Sequence, residues 1–145
     1  MSGRYPALLK KRALNALKWS ERAFAEGDYD TAVREAEYAV QLYIKSLVFR
    51  VLGEEVRSHN IRELLGVLAS SLIEEGFGEE AEELLEYVRR HRRELAMLAD
   101  AHTRAVYGLV EYGRREAEIL LEVAKAVINV LEGLEVKIFG EEVKE

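Results

Sequence analysis

A few polar side chains of the sequence have types and positions that suit contact with a ligand. Lys45 lies on the polar side of a predicted helix, where a lysine can either contact a ligand or face water. His59 follows a predicted turn, where a histidine can hydrogen-bond the start of the next helix or exchange a proton with a ligand. His102, Arg104 and Tyr107 occur together towards the end of a later helix, and they are the group most similar to a binding or active site.

Each of these positions also has a purely structural interpretation. Arg104 and Tyr107 fit the C-terminal end of a helix, where a cation is stabilised by the helix dipole. Lys45 belongs to a polar helix face that is typical of a solvated surface with ion pairs between turns. The other members of that face, spaced three and four residues apart, are Arg34, Glu37 and Gln41. The basic run Arg89–Glu94 could bind phosphates, but preceding glutamates and the absence of an interleaved aromatic residue favour a solvated helix.

The composition excludes several classes of protein. With 145 residues, 49% of them hydrophobic, the chain is long enough to form one domain with its own core. It has no cysteine, which excludes disulfides, thiolate zinc sites and cysteine nucleophiles, and its three histidines lack a metal-binding spacing. No metal and no cofactor are therefore predicted. Because no apolar stretch can span a bilayer and no signal peptide is evident, we expect a cytoplasmic protein without membrane contact.

The charge of the chain is unevenly distributed. The net charge is −6, with 10 basic and 8 acidic side chains in residues 1–60 and 11 basic and 19 acidic ones in residues 61–145. An acidic chain argues against general affinity for nucleic acid, although it leaves room for a local basic groove. The scarcity of Asn and Gln beside many Glu and Arg residues is typical of thermophilic proteins.

The sequence predicts an all-α fold, an up-and-down antiparallel bundle of about five helices. The only proline is Pro6, and glycines divide the rest into segments with apolar residues at helical spacing. Short connections place neighbouring helices antiparallel. The best strand candidate is Leu134–Gly140, "LEVKIFG", which we expect to be a tail or an interface strand. The predicted helical segments are 6–26, 29–52, 60–75, 79–105 and 110–133.

The turn Gly27–Asp30 between two alanine-rich helices resembles half of a tetratricopeptide repeat, and a repeat of this kind would make the chain a structural adaptor. Two features argue against it. No matching turn follows about 34 residues later, and the second helix continues through Lys45 to Leu52 where a repeat helix would stop. The hairpin is better interpreted as the corner of a self-contained bundle.

The longer stretch Gly27–Leu68, "GDYDTAVREAEYAVQLYIKSLVFRVLGEEVRSHNIRELLGVL", resembles the HEPN domain (higher eukaryotes and prokaryotes nucleotide-binding). It has the family's glycine–aromatic turn, Lys45 at the lysine, a following glycine, and His59 at the histidine before a leucine-rich helix. Further along, "AHTRAVYGLVEYGRREAEILLEVAKAVINVL" resembles the region around the family's fourth helix, with Arg104 at the arginine. The Tyr-Pro that often follows is replaced by Ala-Val, and the similarity covers about residues 7–134.

The resemblance implies a helical bundle, commonly dimeric, with a cleft for nucleotide or RNA. It therefore predicts one HEPN-like domain at 1–134, a tail at 135–145, a homodimer, and a nucleotidyltransferase as partner in a toxin–antitoxin pair. The ligand-binding residues that it implies are Lys45, His59, Arg104 and Tyr107.

Some HEPN proteins are metal-independent ribonucleases that use an arginine followed, after four to six residues, by a histidine. No histidine of this sequence has an arginine at that distance, so the family's ribonuclease motif is absent and no enzyme is predicted from it. A ribonuclease toxin with a non-standard site at His102 and Arg104 stays open as an alternative.

Overall fold

A computed structural model describes residues 3–140, and these residues form six α-helices and no strand. The all-α bundle predicted from the sequence is confirmed, with one helix more than expected. Within this range no helix combines the length and apolar character that a membrane crossing requires. The helices are α1 (Arg4–Ala25), α2 (Tyr29–Leu52), α3 (Ile61–Glu74), α4 (Gly78–Arg90), α5 (Arg92–Tyr107) and α6 (Arg114–Phe139).

Helices α1 and α2 form a tight hairpin. Gly27 turns the chain with a φ of +82°, a left-handed conformation that favours glycine, and the Asp28 carboxylate accepts a hydrogen bond from the amide of Thr31 to cap α2. Alanines on the facing sides of the two helices are buried and let the backbones approach closely. The Ser20 hydroxyl donates to the carbonyl of Ala32 at 2.6 Å, which further joins the pair.

Helix α2 lies at the centre of the bundle, in contact with α1, α3, α5 and α6. Most of its side chains are buried on more than one side, so it does not show the single apolar stripe of a surface helix. The core around it consists mainly of leucine, valine and alanine side chains from all six helices. Any polar group on α2 must therefore find a partner inside the protein or at the edge of a neighbouring helix.

The predicted helix 79–105 is two helices, which accounts for the sixth element. The break occurs at His91, whose φ of −117° and ψ of 32° lie outside the helical region. The His91 ring packs on the ring of Tyr87 with 4.3 Å between centroids, and α5 then takes its own path against α2, α3 and α6. Neither a glycine nor a proline marks this position, so tertiary packing sets the break without a sequence signal.

The structure corrects the strand or tail expected from Leu134 onward. Residues 135–139 continue helix α6 without a break at Gly133, and residues 141–145 lie outside the described range. The alternation of apolar and charged residues in Leu134–Gly140 predicted a strand, and this prediction is wrong because tertiary contacts override the local propensity of the segment. Leu134 and Glu135 are buried, and the Phe139 ring packs against the Arg50 guanidinium at 3.8 Å.

Glu135 ties three helices together from inside the bundle. Its side chain is almost fully buried, and its Oε1 accepts hydrogen bonds from the Tyr43 hydroxyl at 2.7 Å and from the Lys10 ammonium at 3.2 Å. Its Oε2 accepts from the Arg50 guanidinium at 3.0 Å. A buried carboxylate with this many donors is satisfied, and it links α6 to both α1 and α2.

We expect Glu135→Ala to lower the free energy of unfolding by about 3 kcal/mol, because it removes the buried acceptor of three hydrogen bonds, two of them from partly buried cations. Chemical denaturation measures the change. Glu132→Ala is the matched control, since Glu132 lies exposed on the same helix, and it should cost less than about 0.5 kcal/mol. Equal effects of the two substitutions would contradict the role assigned to Glu135.

Candidate functional site

The structure corrects the solvated face expected on α2. Glu37 and Gln41, which share that face with Lys45, are only 1% and 6% exposed. Polar residues four positions apart predict a common face, but that face meets α5 and the edge of the bundle instead of water. Lys45 itself is half-buried at the edge of the bundle.

Glu37 forms a buried contact with His102 of α5. Its Oε2 accepts a hydrogen bond from the Gln41 side chain at 2.6 Å, and its Oε1 lies 3.4 Å from the His102 Nδ1. Within residues 3–140, neither Glu37 Oε1 nor His102 Nδ1 has a hydrogen-bond partner, because the contact between them lacks hydrogen-bond geometry. Burial raises the pKa of Glu37 to about 7, although the Gln41 hydrogen bond and the charge of Lys45 act in the opposite direction. The carboxyl group is therefore partly protonated near neutral pH.

Lys45 and His59, both predicted as ligand-binding residues, are brought together. The Lys45 ammonium donates to the His59 Nδ1 at 3.2 Å. His59 is held by the cap of α3, where the Asn60 side chain accepts from the amide of Glu63 at 3.1 Å. This cap fixes the exposed His59 ring beside α2.

A cavity of about 220 Å³ opens next to Lys45, between α1, α2 and the connection that follows α2. We call it the Lys45 pocket. Its apolar floor is formed by leucine, valine and phenylalanine side chains. Its polar lining consists of Tyr5, Arg12, Tyr38, Lys45 and Glu55.

Opposite charges meet in the Lys45 pocket. Burial lowers the pKa of Lys45, while the carboxylates of Glu55 and Glu37 oppose that effect. A hydrogen bond to Glu55, together with burial, raises the pKa of the Tyr5 hydroxyl. The pocket thus offers two cationic groups, two phenol rings and one carboxylate, a set of groups that can recognise both a phosphate and a base or sugar.

The structure does not bring Arg104 and His102 to one site. Arg104 forms two hydrogen bonds with the Glu116 carboxylate, at 3.1 and 3.2 Å, and stacks on the Tyr112 ring at 4.2 Å. His102 points instead to Glu37, because residues two apart lie on nearly opposite sides of a helix. Tyr107 is the last residue of α5 and is 77% exposed. The ligand-binding roles of these residues stay predictions.

Sequence reasoning did not identify Tyr5, Arg12 and Tyr38 as site residues. Tyr38 precedes Lys45 by seven positions, so a search for aromatic residues on the same helix face could have found it. Nothing in the sequence points to Tyr5 and Arg12, because only the packing of α1 on α2 places them beside Lys45.

Comparison with known proteins identifies the family. The family model for the HEPN domain matches residues 7–134. The chain belongs to the HEPN domain family. No curated protein and no solved structure matches it. The resemblance stated from the sequence is therefore confirmed over most of the chain, and the chain is a HEPN-type helical module, of a family related to nucleotides and RNA. Together with the unbroken helix α2, this removes the tetratricopeptide interpretation of the first hairpin.

The raised pKa of Glu37 predicts a specific pH dependence of stability. Unfolded, this carboxyl group loses its proton near its ordinary pKa of 4.5, whereas in the native protein it does so near 7. The native state therefore binds more protons between these values, and stability falls as pH rises through this window. Relative to Glu37→Gln, the wild type should lose about 2–3 kcal/mol of unfolding free energy between pH 5 and 8.

Denaturant titrations at several pH values check this difference. Glu118→Gln is the control, because its carboxylate lies in solvent, and its profile should run parallel to that of the wild type. Parallel profiles for Glu37→Gln and the wild type would show that Glu37 titrates as an ordinary carboxyl group.

Proposed function

We propose that this HEPN protein binds a nucleotide, free or as part of an RNA, in the Lys45 pocket. The observation that supports this is the convergence of Arg12 and Lys45 with the rings of Tyr5 and Tyr38 around one cavity. Lysine and arginine are the usual partners of phosphate oxygens, and aromatic rings offer a face on which a base can stack.

The dimensions of the pocket suggest how a nucleotide would be held. A cavity of about 220 Å³ is smaller than the sites that enclose whole drug-sized ligands, so it would take one part of the nucleotide and leave the rest on the surface. The Glu55 carboxylate can accept hydrogen bonds from a base amino group or a ribose hydroxyl. Phosphate would then be placed at Lys45 and Arg12, where a nearby anion also offsets the burial of the Lys45 ammonium.

The proposal extends to the location, the oligomeric state and the protein partner of the chain. We propose a cytoplasmic homodimer and, as a partner protein, a small nucleotidyltransferase of the kind found with HEPN proteins in toxin–antitoxin pairs. Family membership supports this setting, and the exposed His59, which contacts Lys45, would be accessible to such a partner.

Titration calorimetry with a panel of nucleoside mono-, di- and triphosphates tests the nucleotide site. Lys45→Gln and Arg12→Gln should each weaken binding about tenfold or more, since each removes a charge-assisted hydrogen bond to phosphate. Tyr38→Leu should weaken binding of the base but leave binding of inorganic triphosphate unchanged.

Arg93→Gln serves as the matched control, because it removes one exposed positive charge on α5, away from the pocket. It should change the affinity less than twofold or so. If no nucleotide binds the wild type at millimolar concentration, or if all three charge variants behave alike, the proposed site is wrong.

A second candidate function is metal-independent ribonuclease activity, and the contact between Glu37 and His102 favours it. The His102 Nδ1 is buried against the Glu37 carboxyl, while the side chain as a whole is 45% exposed, so the opposite edge of the ring faces solvent. A carboxyl at Nδ1 orients an imidazole so that its outer nitrogen can take a proton from a ribose 2′-hydroxyl. Arg104 is hydrogen-bonded to Glu116. The side chain that lies beside His102 is therefore Glu37, and not Arg104 as in the site predicted from the sequence.

Incubation of the protein with RNA in the presence of a chelator tests this activity. Removing the general base in His102→Ala should reduce the cleavage rate about 100-fold or more, and Glu37→Gln should reduce it less. Arg104→Ala should leave the rate within about threefold of wild type, since its guanidinium bonds to Glu116. Cleavage that survives His102→Ala would assign the activity to other residues or to a contaminant.

A further inference from the structure

Helix α1 has a charge opposite to that of the rest of the chain. It contains six lysines and arginines and one carboxylate, Glu21, which makes its side-chain charge +5. Since the whole chain carries −6, the residues outside α1 carry −11. Such a segregation of charge on one exposed helix concentrates the positive potential of the protein on one face.

The only acidic residue of α1 and one of its lysines are turned towards the bundle. Glu21 forms a salt bridge with Lys125 of α6, with 2.9 Å between nitrogen and oxygen. Lys10 forms one with Glu135 of α6 at 3.2 Å. Glu21 is thus paired outside α1, and Lys11, Arg12, Lys18 and Arg22 of this helix are exposed.

Four of the outward cations form a continuous row, which we call the α1 stripe: Arg4, Lys11, Lys18 and Arg22. At 3.6 residues per turn these positions lie within about 40° of one another around the helix, and the row is about 27 Å long. Among the residues described, Lys11, Lys18 and Arg22 take part in no ion pair. Their charges are therefore available to an external anion.

An exposed tryptophan stands beside the α1 stripe. Trp19 is 52% exposed, and the Lys18 ammonium and the Arg22 guanidinium lie 5.7 and 5.2 Å from its ring centroid. These cations restrict the ring to the surface of the stripe while leaving much of its area open. An aromatic face between cations is the arrangement on which single-stranded nucleic acids stack their bases.

We propose that the α1 stripe and Trp19 bind single-stranded nucleic acid. The charges of the stripe complement a phosphodiester backbone, and Trp19 supplies one stacking position. A protein partner is a poorer fit, because lysine is depleted at the centre of protein interfaces. The large apolar side chains exposed on this helix besides Trp19 are Leu8 and Leu14, each 39% exposed, too little for an apolar interface centre.

The position of Arg12 links this surface to the Lys45 pocket. Arg12 lines the pocket and projects from the same helix, at the side of the α1 stripe that Trp19 also occupies. A strand lying on the stripe could therefore place one nucleotide in the pocket. Binding to the stripe does not require that step, so this inference stands apart from the proposed nucleotide site.

Fluorescence anisotropy with a labelled single-stranded uridine oligonucleotide of about 12 residues tests the proposal, since that length exceeds the stripe. A salt series from about 50 to about 200 mM then counts the phosphate contacts. Lys18→Gln with Arg22→Gln should weaken binding about tenfold and reduce the slope of log affinity against log salt by about 1.4. Trp19→Leu should weaken binding about tenfold without changing that slope.

The control pair, Arg92→Gln with Arg93→Gln, removes the same charge from exposed positions on α5 and should change the affinity less than about twofold. A deoxyribose oligonucleotide of equal length shows whether the surface distinguishes RNA from DNA. The stripe variants should leave mononucleotide binding unchanged, whereas Lys45→Gln should weaken it about tenfold or more, so failure of one proposal is separable from failure of the other.

Three results would overturn the α1 stripe as a nucleic-acid surface. The first is absence of oligonucleotide binding by the wild type, and the second is equal weakening by the stripe pair and the α5 pair. The third is loss of binding to acidic lipid vesicles, or of self-association in sedimentation, in stripe variants whose oligonucleotide affinity is unchanged.

Discussion

Helix α2 occupies the centre of the bundle while carrying polar and titratable side chains, and this constraint organises the rest of the structure. A buried polar group costs several kcal/mol unless it is paired, so each one on α2 requires a partner from a neighbouring helix. Tyr43 is paired with Glu135 of α6, and Glu37 is faced by Gln41 and by His102 of α5. The Tyr43–Glu135 hydrogen bond therefore adds to the apolar packing that positions α6 on α2, whereas the Glu37–His102 contact is incomplete.

Glu37 of α2 and Glu135 of α6 show the difference between an incompletely paired and a fully paired buried carboxyl group. Glu135 accepts from three donors, two of them cationic, and is satisfied. Glu37 has one neutral donor and an unaligned contact with His102, and burial holds its pKa near 7. Glu135 therefore has the partners that a buried carboxylate requires, whereas Glu37 lacks some of them. Groups with a pKa perturbed in this way are common at functional sites, although structural pairs also produce them.

The sequence was sufficient for most of the fold because its signals are local. Glycines and the Asn60 cap mark helix ends, and the predicted bounds of α2 agree with the structure. The break at His91 and the helical end of α6 were missed because tertiary contacts produce them against local pattern. The candidate site was harder to predict than the fold. The spacing of Glu37 and Lys45 indicates a common helix face, but it does not indicate whether water or another helix covers that face.

The charge segregation of the fold bears on how an anionic ligand would approach it. A mostly acidic chain repels polyanions at long range, so the cations of α1 can attract them only over the limited region that this helix covers. The fold produces that region by turning Glu21 towards Lys125 and Lys10 towards Glu135. The salt bridges of Glu21 and Lys10 and the outward position of the stripe are thus consequences of the same packing of α1 on α6.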